Sequence, residues 1–102
     1  MFGNMKQAKN PYTNYVTLRE LGASRNAKLR AAVAANPNLQ SYKMTEMCSD
    51  KAEKVRVALA TNPKLPLDAW KLLSEDESEL VKSTLAEHHP EAPEKGDVRK
   101  SN

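Results

Sequence analysis

The sequence predicts an all-α fold, a short right-handed solenoid of three helical hairpins of about 26 residues each. Three observations lead to it. The phrase LRAAVAANP at Leu29–Pro37 returns as VRVALATNP at Val55–Pro63 and, worn at its end, as LVKSTLAEHHP at Leu80–Pro90. Asn-Pro stands at Asn10-Pro11, Asn36-Pro37 and Asn62-Pro63, so the register is constant. Apolar residues recur three or four apart and never in strict alternation, which excludes strands as the main element.

The elements follow in chain order. Residues 1–10 are expected to form a flexible lead-in, residues 11–90 the three-repeat domain and residues 91–102 a disordered charged tail. Helices are expected near 13–22, 25–35, 40–48, 51–61, 66–74 and 77–88. Leu18 with Leu21, Met44 with Met47 and Trp70 with Leu73 form the inward face of each first helix. Leu29 with Val33, Val55 with Leu59 and Val81 with Leu85 do the same for each second helix. Trp70 shares a core column, but its indole N–H needs a partner, so one edge is expected at the surface.

Punctuation repeats as well. Ser24, Asp50 and Asp76 precede the second helices, and Glu53 and Glu79 lie at capping-box distance from the two aspartates. Asn36 and Asn62 before proline are expected to stop the second helices, and Pro66 suits the first turn of the next. Ala34, Ala60 and Ala86 share one column and Gly22, Cys48 and Ser74 another. Two columns of small side chains fit close approach of neighbouring helices.

Composition narrows the function classes. The chain has 102 residues, 28% charged, with a formal charge of +3. That charge is uneven: residues 1–60 carry ten Lys/Arg against four Asp/Glu, and residues 61–102 six against nine. A polarised surface follows. A single cysteine, Cys48, excludes an internal disulfide and any cysteine cluster for metal. No apolar run approaches the ~20 residues of a membrane span, and residues 1–10 lack a signal-peptide core, so the expected location is the cytoplasm.

The phrases LRAAVAANPNL and VRVALATNPKLP resemble the repeats of the leucine-rich repeat variant group and, more broadly, HEAT-type α-solenoid repeats. The resemblance covers about residues 11–90 and implies a binding surface, with no particular partner. First helices in that group can be partly 3₁₀. Some members carry an iron–sulfur cysteine cluster ahead of the repeats, and this chain has none to match. His88-His89 stands where Asn-Pro is expected, which makes the third repeat a candidate cap.

Arg30, Arg56 and Lys82 recur at one position and form a ladder of cations. Two roles are open to it: contact with an acidic partner, or bonding to the acidic turn residues, as the resemblance to HEAT-like repeats implies. With Lys28 and Lys54 they make up the candidate partner-binding set, which points to an acidic protein surface and to a small adaptor or inhibitor. Nucleic acid is the alternative, since Lys51, Arg25, Arg19 and Lys43 enrich the first two repeats in positive charge. Base stacking would want aromatics interleaved with them, and Tyr15 and Tyr42 share no repeat position. Self-association is a further partner class open to three stacked repeats.

No catalytic, cofactor-binding or metal-binding set is expected. His88 and His89 are adjacent and lack a spaced third ligand. Cys48 has no nearby base and sits in the small-residue column. The run Glu75, Asp76, Glu77 and Glu79 suits a helix start, where negative charge complements the backbone dipoles.

Overall fold

The computed structural model describes residues 3–94, which form seven α-helices and, among the described residues, no strand. They are α1 (Gly3–Lys9), α2 (Tyr15–Leu21), α3 (Ala27–Ala34), α4 (Ser41–Met47), α5 (Glu53–Ala60), α6 (Leu67–Ser74) and α7 (Glu79–His88). Each has seven to ten residues. Isolated helices below roughly 12–15 residues are marginal in water, so these stand by their packing. Helices α1, α3, α5 and α7 pack in file, each on the next. Helices α2, α4 and α6 each lie against the helix that follows, and α4 also meets α6.

Sequence explains where each helix starts and stops. Asn14 and Asn26 cap α2 and α3 through side-chain oxygens that accept the Val16 and Lys28 amides at 2.7 and 2.9 Å. Ser78 caps α7 by accepting the Val81 amide. Pro66 is itself the N-cap residue of α6, one position before the first helical turn. Helix α2 ends at Gly22, where an added Cβ would lie 3.2 Å from the Leu18 carbonyl oxygen and 3.4 Å from Val33 Cγ1. The column holding Gly22 is small because backbone and neighbour crowd it. Cys48, in the same column, places its Sγ 3.6 Å from the carbonyls of both Met44 and Ala69.

The predicted apolar columns supply most of the core. Leu18, Met44, Met47 and Leu73 are buried, as are Leu29, Val33, Val55, Leu59, Val81 and Leu85. Leu21 and Trp70 are half-buried and pack on its edge. Leu39 and Leu65, in the turns after the Asn-Pro pairs, join the core from equivalent positions. Ala34 and Ala60 are fully buried, whereas Ala86 at the same position is exposed.

Two asparagines tie the file of helices together. The buried Asn36 side chain donates to the carbonyls of Ala8 and Asn10 at 2.8 and 2.9 Å. Asn62, also buried, donates to Ala34 and Asn36 at the same two distances. Their Oδ1 atoms accept the amides of Asn38 and Lys64, so donors and acceptor of each amide are all used. The helices themselves end one residue earlier, at Ala35 and Thr61, both right-handed.

Two expectations need correction. The lead-in expected over residues 1–10 contains a helix, α1, whose Ala8 is fully buried against the core. The capping boxes expected at Asp50–Glu53 and Asp76–Glu79 are replaced by another arrangement, because the N-cap residues are Ala52 and Ser78. Asp50 and Asp76 lie two residues earlier and accept the amides of Ala52 and Ser78. The first helices are regular α-helix rather than partly 3₁₀. The tail expected over 91–102 falls from residue 95 onward outside the described residues.

Candidate partner-binding face

Helices α3 and α5 pack against each other. Arg30 stands in the first turns of α3 and Arg56 in those of α5. Each guanidinium reaches the loop before the next helix in the file. Arg30 Nε and Nη2 donate to the two carboxylate oxygens of Asp50 at 2.8 and 2.9 Å, and Nη1 donates to the Ser24 carbonyl at 3.0 Å. Arg56 repeats this on Asp76 at 2.8 and 3.4 Å, with Nη1 on the Asp50 carbonyl at 2.8 Å. The planar fork of arginine matches a carboxylate with two parallel bonds.

These pairs are shielded, with side chains between 8% and 12% exposed. The hydrogen-bonded Arg30 guanidinium holds the Asp50 carboxyl below its ordinary range against the opposing effect of burial, with help from the Ala52 amide. Arg30 and Arg56 are both raised, chiefly by the hydrogen bond to their aspartates. Lys82, the third cation of the ladder, instead reaches Glu79 on its own helix at 3.1 Å, with Glu79 88% exposed. Lysine lacks the fork, and a solvated i,i+3 pair is weak.

Lys28 and Lys54 are exposed at matching positions on α3 and α5. Arg25 and Lys51, also matched and exposed, precede them by three residues. The structure therefore brings four solvent-facing cations into two adjacent rows. The third row carries Glu77 and Leu80 at the corresponding positions, and Leu80 is 54% exposed. Of the predicted partner-binding set, Lys28 and Lys54 face solvent, Arg30 and Arg56 are occupied by Asp50 and Asp76, and Lys82 sits beyond them on α7. Beside the Arg56–Asp76 pair lies a groove of about 540 Å³ whose lining includes Asp50, Lys51, Leu72 and Glu77.

The remaining candidates have ordinary surroundings. Burial pushes the Cys48 thiol up to about 11, with the Asp76 charge adding to the effect, so it stays protonated near neutrality. His88 is exposed in the last turn of α7, and His89 follows as its C-cap. Among the described residues no group of three or more His, Cys, Asp or Glu is arranged to hold a metal ion. No helix among them is long and apolar enough to cross a membrane. Sequence reasoning did not single out Asn36 and Asn62 as cross-linking residues, nor Leu80 as an exposed apolar position in the Lys28–Lys54 column. The constant period of Asn-Pro was the available signal for the first.

Comparison of the chain with protein-family models, curated proteins and solved structures finds no match. The likeness to leucine-rich repeat variant and HEAT-type repeats rests on the repeated residues themselves.

Proposed function

We propose that the chain is a non-enzymatic protein-binding module, a short right-handed α-solenoid of three repeats that docks an acidic partner surface. The solenoid reading is supported by side-chain bonds that recur with the sequence period: Asn36 bonds back to the end of α1 and Asn62 to the repeat before it, while Arg30 and Arg56 bond forward to the next. The observation that carries the function is the matched exposure of Lys28 and Lys54, with Arg25 and Lys51 beside them, on helices held rigidly side by side. Neighbouring helices pack roughly 8–10 Å apart, so the rows form a fixed grid of positive charge. A grid of this kind steers and orients an acidic surface. In this reading Arg30 and Arg56 set the spacing, and the exposed lysines make the contact. The module acts as a small adaptor or inhibitor.

The test compares the full chain with a K28E/K54E variant as bait in nuclease-treated lysate. One protein should be recovered by the native chain and lost by the variant, whose circular dichroism and melting temperature stay unchanged. Equal recovery by both, or recovery of nucleic acid alone from untreated lysate with a steep loss on added salt, would overturn the reading.

A further inference from the structure

A second cavity, of about 150 Å³, lies between α6 and the end of α7 and is lined by Trp70, Ser74, Lys82, Leu85, Ala86, His89 and Pro90. Two of these residues hold buried side-chain nitrogens with no hydrogen-bond partner, Trp70 Nε1 and His89 Nε2. Buried polar atoms are nearly always paired, so two orphans on one cavity point to something that pairs them. We propose that this cavity is a binding site for a carboxylate group, taken by the Lys82 ammonium, the Trp70 indole N–H and the His89 imidazole. The site is separate from the Lys28–Lys54 grid and stands whether or not that grid takes a partner.

The lining chemistry selects the ligand. Indole and ammonium only donate hydrogen bonds and imidazole can donate, whereas the Ser74 hydroxyl already donates to the Lys71 carbonyl. No carboxylate lines the cavity, so a cation finds no counter-charge there. A liquid water takes about 30 Å³, so the space holds roughly five waters' worth of ligand, a carboxylate head with a short carbon chain. Leu85, Ala86 and Pro90 supply an apolar wall that suits the carbon end and offers nothing to a tetrahedral ion that is oxygen all round. The ladder shows the same preference inside the protein. Arg30 and Arg56 each clasp an aspartate from the next hairpin, whereas the matching cation Lys82 reaches Glu79 on its own helix. A carboxylate in the cavity gives Lys82 the counterpart that Asp50 and Asp76 give the arginines. Both orphan nitrogens are covered by neighbouring atoms, so a ligand reaches them only as a side chain of the wall moves; His89 is the C-cap of α7, its backbone amide anchored to Leu85.

Trp70 is the sole tryptophan, so its indole N–H gives one resonance. The experiment titrates the full-length, ¹⁵N-labelled protein with sodium acetate at constant ionic strength, with acetamide and inorganic phosphate as controls. Acetate should move the indole resonance saturably, while acetamide leaves it in place and phosphate binds more weakly. The Lys82→Met variant, checked by the rest of its spectrum, should bind acetate about three- to tenfold more weakly. Parallel titrations with Ac-Ala-Ala-Ala and with Ac-Ala-Asp-Ala-amide distinguish a chain terminus, an acidic side chain and a free acid as the natural source. An indole resonance unmoved by acetate, an equal response to acetamide, stronger binding of phosphate, or unchanged affinity in Lys82→Met would each overturn the assignment.

Discussion

Asn36 and Asn62 are the only buried polar residues among those described, and each donates its amide group to two backbone carbonyls of the preceding segment. Replacing Asn62 by alanine takes a donor from the Ala34 carbonyl, leaves the Asn36 carbonyl with the Leu39 amide alone, and removes the acceptor of the Lys64 amide. The loss should come to about 2–4 kcal/mol in urea unfolding. Asn10 is the built-in control, since it is exposed and its Oδ1 accepts only from Tyr12. Asn10→Ala should cost under about 1 kcal/mol. Equal costs at the two positions would mean that the Asn62 cross-link adds nothing beyond the local turn. The period of Asn-Pro was legible in the sequence; its purpose was not. Asparagine before proline has a sufficient local explanation as a stop signal, and the partners that decide its role lie 26 and 28 residues away.

At the scale of elements, helix faces were readable because every second helix needs two apolar residues four apart, and all six are buried. Helix α1 escaped because GNMKQAK has no such stripe: one alanine is buried, and Met5 packs alongside. The acidic turn residues were legible as turn formers, yet aspartate two residues ahead of the N-cap has two oxygens to share. Asp50 Oδ1 accepts both the Ala52 amide and Arg30 Nη2, while Oδ2 takes Arg30 Nε. This makes the link between successive hairpins sensitive to acid. The folded-state carboxyl of Asp50 titrates below its unfolded value of about 3.9, so its contribution is complete above about pH 5 and drains away as pH falls through the folded value. The difference in unfolding free energy between the native chain and Asp50→Asn should therefore stay constant from about pH 5 to 8 and narrow below about pH 4. A gap that is flat down to pH 3 would remove Asp50 from the acid response. The lysine grid was legible by composition alone. Which cations of the predicted set meet solvent depended on where Asp50 and Asp76 fell in the fold.

For the whole molecule, short helices and recurring cross-links have a joint consequence: no pair of successive helices closes its own core. Val55, Leu59 and Ala60 of α5 are fully buried, and α5 packs on α3 to one side and on α7 and α6 to the other. A fragment ending at Asn62 would strip the α6–α7 cover from this face. Returning two or three such side chains to water costs about 3–9 kcal/mol at about 1.5–3 kcal/mol each. That matches the 5–15 kcal/mol total stability usual for a domain. The same cut removes Asp76, so the buried Arg56 guanidinium loses both carboxylate bonds and keeps only the Asp50 carbonyl. The full chain should thus unfold in one cooperative transition by circular dichroism, and the 1–62 fragment should show a shallow, non-cooperative loss of helix even in the cold. A sharp transition in the fragment would mean that α1–α5 already hold a self-sufficient core, and that α6 and α7 are an addition to the fold rather than one of its supports.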